Sequence, residues 1–175
     1  IGRFCVANRK TFKRILENFI NGKIKIKKLH RIRLKTSRNP GNIDVLNDIL
    51  VCHGNPAAMS RYSLAIGGMR EEQHSSGLWI STAAGSSGAI KSAGGKVLER
   101  TMKKIQYMPR ELLKWPGIKH RLQGGILELR TPIKIRSLMR RGMVYIDGAH
   151  RRVPFIFGDV IRISSSPNFL RVIDD

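Results

Sequence analysis

From Val45 onward the chain is cut into short apolar runs, each closed by Gly, Pro, Asn, Asp or Ser. The runs are Val45–Val51, Tyr62–Ile66, Leu78–Ile80, Ile126–Leu129, Met143–Ile146 and Val160–Ile163. None is long enough for a stable helix, and all have the length of strands. Such a series can bury its apolar residues only by stacking sheet on sheet, which predicts a mainly β, sandwich-like domain. Asp147-Gly148, between two apolar stretches, predicts a tight turn. Only the beginning reads differently. Asn8–Gly22 places Phe12, Ile15, Leu16, Phe19 and Ile20 at helical spacing, with Asn8 as cap and Gly22 as stop, so an amphipathic helix of about three turns is expected there. Lys23–Lys35 then alternates with a slip at Lys27-Lys28, the pattern of a strand broken by a bulge or turn.

At 175 residues, 41% of them apolar, the chain has the size of a single domain over 1–175: a basic helix–strand arm over 1–38 and a β domain over 39–175. Charge separates these regions. Residues 1–38 hold 13 basic and 1 acidic side chains, 39–99 hold 4 and 5, and 100–175 hold 16 and 6, for a net +21. An excess of this size is most easily tolerated beside a polyanion. The cations that sequence groups together are Lys23, Lys25, Lys27 and Lys28, then Arg31 and Arg33, then Arg140 and Arg141, and Arg151 and Arg152. On an extended strand residues 23, 25 and 27 share one side, so three lysines are expected to form a phosphate-tracking ridge. With few aromatics for stacking, backbone contact with structured RNA is the expected mode.

Cys5 and Cys52 lack any paired spacing, which favours a reducing, intracellular compartment and predicts two small core residues. The five histidines lack metal-binding spacing, so no metal site is expected. No apolar run approaches the roughly 18 residues of a membrane span, and no membrane partner is expected.

Two stretches carry candidate chemistry. Ser81–Gly95, S-T-A-A-G-S-S-G-A-I-K-S-A-G-G, lies in the near-neutral middle of the chain. It ends neither as a Walker loop nor as a dinucleotide fingerprint. Gly85 and Gly94-Gly95 bracket residues 86–93, where a short helix is expected. Ser86 and Ser87 offer hydrogen bonds, and Gly85 and Gly88 would let a ring or phosphate reach the backbone. Physical reasoning leaves two readings open, a ligand-contacting loop and a structural turn. Asn47-Asp48 falls inside the apolar run Val45–Val51, which demands either a buried polar network or a ligand.

Taken together, V-L-N-D-I-L-V-C-H-G-N-P (Val45–Pro56) and the Ser81–Gly95 stretch resemble the carboxy-terminal domain of NAD kinases. That family carries an N-[ED] pair in a strand, followed by G-D-G-L-x-x-S-T-P-T-G-S-T-A-Y-x-x-S-A-G-G. I-G-R-F-C-V-A-N-R-K-T-F at the start, A-M-S-R-Y-S-L, S-S-G-L at Ser75–Leu78 and Y-I-D-G at Tyr145–Gly148 extend the likeness through nearly the whole chain, on the plant-type NADH kinase side. The resemblance implies that Asn47 contacts adenine, with Asp48 as its acidic neighbour. It also implies that Ser87, Gly88, Ala89 and Ser92 line a pocket for NAD or NADH, with Ser76 at the nicotinamide end. Three positions depart from the pattern: Ala89 stands for an aromatic ring, Gly88 for Ala, and Ser76 for Asp. The family's catalytic G-G-D-G-T is not among these residues, so no catalytic residue is assigned, and ATP and Mg would enter only with a domain carrying it.

Two functions follow as expectations. The charge favours a non-catalytic, RNA-contacting structural component of a ribonucleoprotein such as an organellar ribosome, in a mitochondrial or other organelle matrix or in the cytoplasm, among RNA and other proteins. The alternative is the substrate-binding half of an active NAD(H) kinase that phosphorylates the adenosine ribose 2′-hydroxyl. Homo-oligomers are disfavoured by the charge unless counterions are present.

Overall fold

The computed structural model describes residues 5–38 and 41–174. Two six-stranded antiparallel sheets enclose one core. The first runs in the order β2 (Ile43–Val45), β1 (Lys25–Thr36), β12 (Val160–Asp174), β9 (Ile133–Ser137), β4 (Ser60–Ile66), β5 (Met69–Ser75). The second runs β11 (Arg151–Pro154), β10 (Gly142–Ile146), β3 (Asp48–His53), β6 (Gly77–Thr82), β7 (Lys104–Arg110), β8 (Gly125–Glu128). Period-two alternation decides which side chains face inward. In β9, Ile133, Ile135 and Ser137 are buried while Lys134 and Arg136 are exposed. Tyr62, Leu64 and Ile161 of the first sheet meet Val51, Leu78, Ile80 and Val144 of the second in that core. Each such side chain stabilises the fold by about 1.5–3 kcal/mol.

The mainly β expectation is met, as are both helices. The first, α1 (Phe12–Ile20), is shorter than the spacing suggested. Asn8 caps the turn ahead of it instead, its Oδ1 accepting the Lys10 and Thr11 N–H groups at 2.9 and 3.1 Å. The second, α2 (Ala89–Ser92), is one turn long. No helix among the described residues is long and apolar enough to cross a membrane.

Val45–Val51 is not one strand. Its first part ends β2 in the first sheet, and its last part belongs to β3 in the second. The chain crosses between sheets at Leu46-Asn47, so the polar pair lies where the ladder is interrupted. The basic strand starts only at Lys25, because Gly22 turns the chain at φ +69° and the Lys23 N–H donates to Asn18 O at 2.8 Å. Lys23 therefore leaves the predicted ridge. The irregularity falls between His30 and Ile32 rather than at Lys27-Lys28. Cys5 is exposed and Cys52 half-buried, and neither is a core residue. Of the start of the family likeness, residues 1–4 lie outside the described residues.

Candidate functional site

The crossover at Leu46-Asn47 is gripped from both sides. On one side stands Asp147, in the turn between β10 and β11. Its Oδ1 accepts the Asn47 N–H at 2.6 Å, and its two oxygens each accept the Leu46 N–H at 3.1 Å. On the other side Thr82 Oγ1 donates to Leu46 O at 2.5 Å, while Ser81 Oγ and the Thr82 N–H donate to Asn47 O at 3.2 and 2.9 Å. With both peptide groups satisfied by the protein, the Asn47 side chain is presented from a fixed backbone.

Ser81–Gly95 meets this crossover directly. A Cβ at Gly85 would lie 2.3 Å from Asn47 O, so only glycine lets the two segments touch. A Cβ at Gly88 would sit 3.8 Å from Asp48 Oδ2, which places the Asp48 carboxylate against the loop. The loop is not slack. Ser81, Thr82, Ala83, Ala84 and Ser86 are buried. Ser86 Oγ donates to Ala83 O at 2.7 Å and accepts the Leu98 N–H at 2.8 Å. Gln106 clamps the exit, its Oε1 accepting the Lys96 N–H at 2.7 Å and its Nε2 donating to Lys96 O at 3.2 Å.

Within this rigid frame Ser87 Oγ is buried and makes no hydrogen bond. Buried hydroxyls normally have partners, and an orphan at this position suits a ligand that supplies one. Next to it opens a cleft of about 520 Å³ lined by Trp79, Ala89, Ser92, Ala93, Arg110 and Glu111. Asn47, Asp48, Ser87 and Gly88 thus form one junction, and Ala89 and Ser92 line the adjoining cleft. Ser76 stands at the other end of β6, roughly 20 Å along the strand from the junction. Its N–H donates at 2.9 Å to the carbonyl of Arg110, which also lines the cleft.

The junction is electrostatically unusual. Burial, with the neighbouring Asp147 charge adding to it, pushes the Asp48 carboxyl up from 3.8 to about 6. Sequence reading missed Asp147 as part of the site, placed Trp79 only in a strand, and did not single out Arg110, though both line the cleft. Asp147-Gly148 signalled its turn, but a carboxylate accepting amides a hundred residues away has no local signature. Among the described residues no group of three or more His, Cys, Asp or Glu is placed to hold a metal.

The predicted basic residues scatter. Lys25, Lys27 and Lys28 are exposed on β1, Arg151 and Arg152 on the edge strand β11, and Arg140 and Arg141 in the turn before β10. Arg31 is half-buried, with its Nε sequestered and unbonded. Arg33 is engaged by an acid instead of standing alone. It holds Asp44 through two bonds of 2.9 and 3.1 Å, and this pairing draws the Asp44 carboxyl down to about 2.

Known proteins share both the family and the fold of this chain. Residues 46–174 match the family model of the ATP-NAD kinase C-terminal domain. A probable NADH kinase from Oryza sativa subsp. japonica is 34% identical over 98% of this chain and 55% of its own length. The yeast NADH kinase solved in complex with NADH superposes with a TM-score of 0.80 at 19% identity, over 95% of this chain and 49% of that one. An NAD kinase from Archaeoglobus fulgidus solved in complex with ATP gives 0.76 at 23% identity, over 94% and 61%. The chain spans about half the length of the curated relatives it matches.

Proposed function

The chain belongs to the ATP-NAD kinase C-terminal domain family, and from that membership we propose that its Asn47–Ser87 junction binds the dinucleotide NAD(H) as the substrate-binding half of an NAD(H) kinase. The observation that carries this reading is the meeting of the two sequence stretches: Gly85 against the Asn47 backbone, Gly88 against the Asp48 carboxylate, and Ser87 Oγ left without a partner. Asn47 carries a donor and an acceptor on one amide, the combination that an adenine edge requires. The Ser87 hydroxyl supplies a further hydrogen bond, and the cleft beside Ala89 and Ser92 leaves room for the rest of the molecule. Ser76 puts an uncharged group where the family pattern has an acid. An uncharged nicotinamide ring needs no counter-charge there, which favours the reduced form.

Phosphorylation of the ribose 2′-hydroxyl requires a base, a phosphate cradle and a metal-bound donor. In this reading the domain binds and orients the dinucleotide, and those parts belong to a G-G-D-G-T-bearing domain. The reading as a non-catalytic ribonucleoprotein component draws no support from the relatives.

Titration with NADH and NAD, followed by calorimetry, tests the junction. Asn47→Ala and Ser87→Ala should each weaken binding about tenfold, the loss expected for one or two hydrogen bonds to a buried ligand. Affinities equal to the parent in both variants would remove the site.

A further inference from the structure

Pairing of β1 with β12 assembles a cationic face that no stretch of sequence contains. Lys28 stands directly opposite Arg171, and His30 opposite Phe169, so these four side chains project from the same side of the ribbon. Lys28 Nζ lies 4.7 Å and Arg171 Cζ 5.7 Å from the Phe169 ring centre. Beyond His30 opens a groove of about 380 Å³, where Lys103 and Arg130 from the end of the second sheet face Ser165 and Ser166 of β12.

Like charges placed directly across two strands destabilise a sheet. Here the Phe169 ring between them offsets part of that repulsion. The nearby acids do not supply the remainder. Glu128, at the groove's rim, is bonded to Lys104, and Asp44 is held by Arg33. Lys28, Lys103, Arg130 and Arg171 form no ion pair among the described residues. Burial, then Lys103, then Lys28 hold His30 below its ordinary value, so the histidine registers the local positive field.

We propose that the face formed by Lys28, His30, Lys103, Arg130, Phe169 and Arg171 binds the phosphate backbone of a nucleic acid. The cations lie on four separate segments along an open surface, which suits successive phosphates better than one enclosed anion. This proposal is independent of the dinucleotide reading, since its residues are not those of the junction.

The test measures fluorescence anisotropy of a labelled oligonucleotide, as RNA and as DNA of the same sequence, with the full chain over about 50 to 200 mM salt. Lys28→Ala/Arg171→Ala should weaken binding roughly tenfold at the lower salt and flatten the salt slope by about 1.5, the share of two phosphate contacts. Arg140→Ala/Arg141→Ala, which removes equal charge elsewhere, should change little. Tighter binding of RNA than of DNA, or the reverse, tells which backbone the face takes, and either supports the site. Equal loss in both double variants, or equal binding of polyglutamate, overturns it. Should the Lys28/Arg171 variant fail to fold, the parent chain still decides. Added oligonucleotide must raise the His30 titration midpoint seen by NMR, because phosphates neutralise the field of Lys28 and Lys103, and an unmoved midpoint overturns the proposal.

Discussion

Asp48 occupies a position where its charge is costly, and that cost is testable. Its carboxyl titrates near 6 in the fold against an ordinary 3.8, because burial and then Asp147 disfavour the anion. The folded state therefore binds more protons than the unfolded chain between these values, and stability falls as pH rises through that window. Asp48→Asn removes the ionisation, so its thermal midpoint should exceed the parent's at about pH 7 and converge with it toward about pH 3, where the parent carboxyl is largely protonated in the folded and the unfolded chain alike. A constant offset across that range would show that desolvation is not the cause. At this scale the sequence was informative about identity: Asn47 and Asp48 stood out as a polar pair in an apolar run, and Ser87 and Gly88 as part of a loop of small residues. It was silent on contact. That Gly85 must be glycine follows only from Asn47 O lying where a Cβ would be.

Among the elements, the β2–β3 crossover is the device that makes the site. A continuous strand over Val45–Val51 would have sent Asn47 and Asp48 to opposite faces. Breaking it lets Asp147 and Thr82 seize the two exposed peptide groups. Asp147 sits at φ +51°, a left-handed conformation that Asn also tolerates and Ala does not readily adopt. Asp147→Ala should lose about 1–3 kcal/mol in urea unfolding from the unpaired Leu46 and Asn47 amides, and weaken NADH binding with it. Asp147→Asn, which keeps an acceptor and the backbone geometry, should recover most of both. Equal losses in the two would mean that the charge rather than the clamp matters. Edge strands show the limit of pattern reading. β5, M-R-E-E-Q-H-S, pairs along its length with β4 yet has no apolar run, because an edge strand buries little and its charges discourage further pairing.

Across the whole molecule the excess of 33 basic over 12 acidic side chains sets a standing self-repulsion. Raising salt from about 20 to 200 mM should lift the thermal midpoint by a few degrees as that repulsion is screened, and an unchanged midpoint would mean that the charges are already balanced locally. Total charge was legible from composition, but its distribution was not. Lys23 left the strand at the Gly22 turn and Arg33 was taken by Asp44, while Arg171 came from the far end of the chain to stand beside Lys28. By itself the sequence determined the class of fold, because short alternating runs can bury their apolar faces only as stacked sheets, and it determined which polar and small residues were available to the junction. Tertiary structure alone decided which of them touch. Strand pairing and crossovers join residues a hundred or more positions apart, and neither Asp147 beneath Asn47 nor Arg171 beside Lys28 has a local pattern that could announce it.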